Sequence, residues 1–213
     1  MKKDNPVIFS RDVVEFVTVA AEFCKLVEQA EETPRRTLID TSVKLLPLLY
    51  LKANLLPPCE PLGDEMPETY VTEETYEVVR LTLAQVLGAD DSFMDVFVAD
   101  MKYSDQPIAQ TVSECLADVY QDVRDFIFVF RLGLSETMHD ALALCQEHFR
   151  QYWGQRLLGA LRALHAARYA EDDALVDGDI DGDVDAEDAA EDSRFNALAP
   201  DGGREGSPRM SVR

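Results

Sequence analysis

The chain has 213 residues, a mass of 23.9 kDa and 41 acidic residues against 20 Lys and Arg, a formal charge of −21. A chain of this sign is ill suited to a nucleic-acid backbone, where counterion release needs Lys and Arg on phosphates, and an anionic membrane surface is disfavoured for the same reason. The imbalance falls in two blocks: residues 170–213 hold 14 acidic and 4 basic residues, net −10, and residues 1–169 carry the other −11.

Residues 1–169 suit a single domain, and 46% apolar composition allows a sizeable core. No signal-peptide core follows the N-terminal lysines, because Asp12, Glu15, Glu22 and Lys25 interrupt the apolar stretch. The densest apolar run, 45–56, contains Pro47 and Lys52 and is too short to span a bilayer. Cys24, Cys59, Cys115 and Cys145 form no Cys-x-x-Cys pair, so no zinc site is indicated. Three of them fall on apolar helix faces, where Cys behaves as a small hydrophobe. This usage points to a reduced, cytoplasmic protein.

The elements read as helices in chain order. Ser10 is a cap for a first helix with Val13, Phe16, Val17, Ala20, Cys24 and Val27 at helical spacing. Thr33-Pro34 predicts the next start, with Thr33 as cap and Pro34 in the first turn. That helix is apolar around most of its circumference after Val43, which predicts a central position. Pro57-Pro58 stops it, and 57–71 is a proline- and acid-rich loop of a length that is often functional. Thr72 caps a third helix, with Glu73 and Glu74 in its first turn and Gly88 as a left-handed end. A short fourth helix is predicted after Asp91 or Ser92, with Phe93, Val96, Phe97 and Met101 on one face. Pro107 marks the first turn of a fifth helix. Val112, Cys115, Leu116, Val119, Tyr120, Val123, Ile127 and Phe130 form its apolar face, Glu114, Asp118, Asp122 and Asp125 its polar one, and Gly133 its end. Ser135 caps a sixth helix reaching about Tyr169, in which Gly154 and Gly159 imply a bend or a close contact. No strand of useful length is expected. Residues 171–192, with 12 acidic residues and no basic or aromatic one, predict disorder.

Six stretches carry a resemblance: VVEFVTVAAEFC at 13–24, DTSVKLLPLLYLKANLLP at 40–57, PETYVTEETYEVVR at 67–80, DVFVADMKYSDQPI at 95–108, ADVYQDVRDFIFVFRLGLSETM at 117–138 and YWGQRLLGALRALH at 152–165. Together they resemble an uncharacterised bacterial family, a domain of unknown function, over most of 10–169 and not in the acidic tail. The resemblance implies a single all-helical domain, carries an association with genes for RNA or DNA processing, and supplies no catalytic residues.

Four constellations could carry chemistry. In the tail, Asp177, Asp179, Asp181, Asp185 and Asp188 occupy positions 1, 3, 5, 9 and 12 of a twelve-residue calcium loop, with Gly182 at position 6. Asp188 in place of the bidentate Glu resembles the dockerin pattern. The flanks offer only Leu175 and Val176 to pack two helices, so composition also explains the match, and weak millimolar-range Ca²⁺ association is the most it supports. Second, Glu74 and Glu77 on one helix and Asp118 and Asp122 on another could hold Mg²⁺ for phosphohydrolysis, as in all-helical nucleotide pyrophosphohydrolases. The separation is long, no phosphate clamp accompanies them, and acidic stripes on such a domain are expected as solvated faces. Third, Glu136 and His139 form a single Glu-x-x-His where di-iron bundles need two. His139, His148 and His165 are expected at the surface or its boundary, and Cys145, three residues before His148, as inert packing. Fourth, Arg150, Arg156, Arg162 and Arg168 spiral around the last helix with Tyr152 and Trp153 between them, and are expected in internal salt bridges. The loop 57–70, holding Met66 and Tyr70, is the better recognition candidate.

The sequence therefore predicts an all-α single bundle of about six helices over 6–169, followed by an acidic disordered tail over 170–213. The leading functional expectation is a non-catalytic cytoplasmic interaction or adaptor protein without a cofactor. Its partner would be a basic protein drawn by charge, with neither nucleic acid nor membrane bound directly. The Mg²⁺ enzyme using Glu74, Glu77, Asp118 and Asp122, and the Ca²⁺-binding tail, are the alternatives.

Overall fold

A hydroxyl opens the first helix. Ser10 Oγ accepts from the Val13 amide at 3.5 Å, and α1 (Arg11–Glu28) buries Val13, Phe16, Ala20, Phe23, Cys24 and Val27. The computed structural model describes residues 7–63, 67–95 and 107–178, and these form an all-α domain with one small hairpin. A 3₁₀ turn (Ala30–Glu32) leads to α2 (Arg35–Asn54). The α2 start differs from expectation. Thr33 donates its hydroxyl back to the Gln29 carbonyl at 2.8 Å, leaving Pro34 in the cap position with its carbonyl accepting from Leu38. Nor is α2 central: it buries Leu38, Ile39, Leu46 and Leu49, while Leu48, Leu51 and Leu55 are 41%, 51% and 48% exposed.

The central position belongs to α4 (Val112–Leu132), which packs against α1, α3 (Glu73–Leu87) and α5 (Ser135–His148). Thr72 caps α3 through the Thr75 amide at 3.2 Å, as expected. Gly88 ends α3 at φ +58°, ψ −120°, a conformation open to glycine but not the predicted left-handed α cap, and the chain passes into a 3₁₀ turn (Gly88–Asp91). Asp91 is buried and accepts from both the amide and the hydroxyl of Ser113, at 2.7 and 2.8 Å. This bond locks the end of the α3 segment onto the first turn of α4.

Two expectations fail between α3 and α4. Ser92–Asp95 is a strand, β1, where a helix was predicted, and it pairs antiparallel with β2 (Ile108–Thr111), Ser92 opposite Thr111 and Asp95 opposite Ile108. Val96, Phe97 and Met101 lie outside the described residues. Pro107 therefore precedes a strand rather than opening a helix, and Thr111 caps α4 through the Glu114 amide at 3.3 Å. A two-stranded hairpin is marginal alone. Here Arg162 donates to the Met94 carbonyl at 3.0 Å, and the Phe93 ring sits against Gly159, 3.5 Å from where a Cβ would stand.

Gly133, at φ +74°, ψ 19°, gives α4 the left-handed end predicted for it. The α5 cap is Leu134, not Ser135, with the Met138 amide bonding to the Leu134 carbonyl at 2.8 Å. The helix then continues through a π-helical segment (Phe149–Trp153) into α6 (Gly154–Gly178), beyond the predicted end near Tyr169. Cys145, Phe149, Trp153, Leu157 and Leu161 recur at four-residue steps, each overshooting an α-turn by about 40°. The wider π turn absorbs that drift and keeps the stripe facing the core. A Cβ at Gly154 would stand 2.5 Å from the Phe149 carbonyl oxygen and 3.0 Å from its ring. Gly154→Ala is therefore expected to cost about 1–3 kcal/mol, the usual range for overpacking, read as a lower denaturant midpoint. An unchanged midpoint would show that the π turn relaxes freely.

The helical unit closes at Asp172. Of the tail predicted to be disordered over 170–213, residues 170–178 are instead helical in backbone, and 179–213 lie outside the described residues. Among the described residues, no helix is long and apolar enough to cross a membrane.

One surface cluster ties α1 to α2. Glu15 accepts from Lys52 Nζ at 2.5 Å and Arg11 Nε at 2.6 Å, and these bonds, Lys52 first, pull its carboxyl down to about 2. A depressed folded pKa contributes stability above the unfolded carboxylate range, and that contribution is lost as pH falls through the folded value. The melting-temperature gap between Glu15→Gln and the wild type is expected to close between about pH 5 and about pH 2. A gap that persists in acid would assign the effect to packing.

Candidate functional site

The polar face of α4 was expected to be solvated. Of Glu114, Asp118, Asp122 and Asp125, only Glu114 is exposed, because α3, α5 and the π segment pack against this face as well. Asp118 is 7% exposed and accepts three donors: Tyr76 Oη at 2.8 Å, Tyr152 Oη at 2.8 Å and Arg156 Nε at 2.5 Å. Arg156 reaches further, to Gln110 Oε1 at 2.8 Å and Glu114 Oε1 at 3.0 Å. Burial and the bond to Asp118 push the Tyr152 phenol up to about 12, so it remains a donor at neutral pH. One carboxylate thus joins α3, α4, the π segment and α6.

A turn further along α4, Asp122 Oδ1 lies 2.5 Å from His148 Nδ1. Burial raises the Asp122 carboxyl, and the His148 bond opposes that rise. Asp125 is also raised by burial, opposed by the amides of Val71 and Tyr70, which reach its Oδ1 at 2.8 and 2.7 Å. Those two bonds draw the end of the 57–71 loop onto α4.

Between this loop end, α4 and α5 lies a pocket of about 340 Å³. Its apolar lining is the buried Phe126, Val129, Ala141 and Cys145 with half-buried Leu144. Its margin is acidic, with exposed Glu68 and half-buried Asp122 and Asp125 beside His148 and Tyr152. Among the described residues, neither Lys nor Arg lines it. The Cys145 thiol is pushed well up by burial, which makes it a packing group and not a nucleophile.

A second cluster holds the start of the loop. Cys59 Sγ lies 3.3 Å from His139 Nε2 and 3.5 Å from Nδ1, close to both ring nitrogens. His139 is 7% exposed, which corrects the expectation of a surface histidine. The Leu62 amide donates to Asp140 Oδ1 at 2.6 Å, and Gln146 Nε2 donates to the Pro57 carbonyl at 2.6 Å. Burial first, then Asp140, pushes the Cys59 thiol up to about 11, so it stays protonated at neutral pH. These contacts join residues some 80 positions apart, and no local pattern announces them.

The predicted site residues distribute as follows. Glu77 forms an ion pair with Arg80 at 2.7 Å, and Glu74 is exposed. Asp118 and Asp122 are held by the partners above. Among the described residues, no group of three or more His, Cys, Asp or Glu side chains is placed to hold a metal ion. The Tyr70 ring stacks on Phe128 at 4.8 Å with the Arg124 guanidinium 4.5 Å from its centroid, and Met66 lies outside the described residues. Asp177 belongs by its backbone to the end of α6, and Asp179, Asp181, Asp185 and Asp188 lie outside the described residues. Arg156, Arg162 and Arg168 pair with Asp118, Asp95 and Asp40, the internal salt bridges expected for that series.

Residues 7–170 match the profile of the DUF5063 family, described as a domain of unknown function, and the chain belongs to that family. The chain is similar to protein BF1032 from Bacteroides fragilis, a structural-genomics target whose crystal structure is solved. The two are 55% identical with a TM-score of 0.69, over 76% of this chain and 96% of that one. No curated protein matches.

Proposed function

We propose that this is a non-catalytic cytoplasmic interaction protein that engages a basic protein partner through its acidic surface. What supports the reading is how the domain uses its cations. Arg11, Arg35, Lys44, Lys52, Arg80, Arg124, Arg156, Arg162 and Arg168 all pair with the domain's own carboxylates. Glu31, Glu32, Glu60, Glu68, Glu73, Glu74 and Glu136 stand exposed. The surplus is negative, and it steers a positively charged partner and rejects acidic ones. The two ends of the 57–71 segment are fastened, the first to α5 and the last to α4, and give that surface fixed features to recognise.

Affinity capture with full-length protein tests this. At about 0.05 M salt the expected result is one basic protein retained in near-stoichiometric amount and released as salt rises towards about 0.5 M, where screening is strong. A retained partner that is acidic, or a salt-insensitive one, contradicts the proposal, as does the absence of any stoichiometric partner.

A further inference from the structure

We infer that the pocket between α4, α5 and the loop end receives one lysine or arginine side chain of the partner. The aliphatic stem would lie against Phe126, Val129 and Leu144, and the cation would sit among Glu68, Asp122 and Asp125. This rests on the reading of the protein as a receptor for a basic partner and names the chemistry of one contact within it.

The lining carries the argument. Long basic side chains are apolar along the stem and charged at the tip, and the pocket lining offers both an apolar surface (Phe126, Val129, Leu144) and carboxylates (Glu68, Asp122, Asp125). Phe126 and Val129 are almost fully buried, Leu144, Asp122 and Asp125 half-buried, and Glu68 exposed. Three carboxylates line this cavity and, among the described residues, neither Lys nor Arg does, while many of the domain's cations pair with carboxylates elsewhere. A neutral apolar occupant would desolvate those carboxylates without compensation, whereas an ammonium or guanidinium offsets the cost. The margin is also held in place before anything binds. Asp122 is fixed by His148, and Asp125 by Tyr70 and Val71, all through Oδ1, so Oδ2 of each is the atom that would accept from the cation. Ordering entropy at the site is therefore already met by the fold.

The inference is tested by methyl-detected NMR on full-length protein labelled at Ala, Leu and Val. The probes are the capped peptide Gly-Gly-Lys-Gly-Gly, the same peptide with norleucine for lysine, methylammonium, and free lysine. The expected result is saturable shifts at Val129, Ala141 and Leu144 with the lysine peptide. Norleucine peptide, methylammonium and free lysine should each bind at least about tenfold more weakly, since each lacks the stem, the charge or the chain context. Glu68→Gln, an exposed change that leaves the core intact, should weaken the lysine peptide several-fold. Equal binding of norleucine and lysine peptides would make this a plain apolar pocket and overturn the inference. Tighter binding of free lysine would make it a small-molecule site and overturn it too, as would shifts confined to other faces or none at all. If the pocket ignores lysine while a basic partner is still captured at low salt, only this inference falls. If no basic partner is captured, the reading beneath it falls.

Discussion

Asp118→Ala should destabilise the protein by about 3–5 kcal/mol, the usual result of breaking one side of a buried charge pair. The reason is what remains behind. The Arg156 guanidinium, 16% exposed, loses the Asp118 acceptor, and the Tyr76 and Tyr152 hydroxyls lose theirs together. Asp118→Asn keeps an acceptor of the same size and should cost less, about 1.5–3 kcal/mol, the range for a bond to a charged group. The pair replacement Asp118→Leu with Arg156→Met should cost less than Asp118→Ala alone, because it leaves no buried charge unpaired. Urea unfolding of the three variants decides this. A loss below about 1 kcal/mol for Asp118→Ala would mean that water reaches this network and that the polar face of α4 is solvated after all. Natural domains hold about 5–15 kcal/mol in total, so the expected loss is a large fraction of the whole.

Trp153→Ala should be of similar size, about 3–5 kcal/mol, the range for emptying a large aromatic site. Trp153 is fully buried, its indole donates to the Cys145 carbonyl at 3.1 Å, and its ring packs on Phe149 at 4.6 Å. It closes the π segment, so its loss should also free Tyr152 from Asp118. Trp153→Phe preserves most of the volume and should cost clearly less than Trp153→Ala. Because Trp153 is the chain's one tryptophan, circular dichroism must follow the variants, and the wild type should show the blue-shifted emission of a dry indole. Red-shifted emission in the native wild type would contradict the packing described.

How much of this could be read from the residues depends on the range of the interaction. Ser10 and Thr72 act on amides three residues away, and Gly133 on its own dihedrals, so local chemistry reveals them. The stripe Cys145, Phe149, Trp153, Leu157 and Leu161 is legible for the same reason, although the π turn within it was not expected. The hairpin is not legible, because four residues are too few for alternation, and its anchors, Arg162 and Gly159, lie far along the chain. The leucines of α2 mislead, since apolarity all round a helix does not say how many neighbours will cover it. The acidic face of α4 misleads in the opposite direction: only the meeting of α3, α4 and the π segment shows that Asp118 is enclosed. The 57–71 segment was legible as a loop from its prolines. The pocket it borders was not, since Glu68, Asp122 and Leu144 meet only in the fold.

Glu68, Asp122 and Asp125 are the acidic margin at which we propose a basic partner is held. Zero-length carbodiimide cross-linking of full-length protein with its captured partner, read by mass spectrometry, tests it most directly, since it joins only carboxylates and amines already in contact. The expected product is a cross-link from Glu68, Asp122 or Asp125 to one lysine of a basic protein, lost on raising the salt. Cross-links scattered over Glu31, Glu73 and Glu136, with none at the pocket margin, would contradict it.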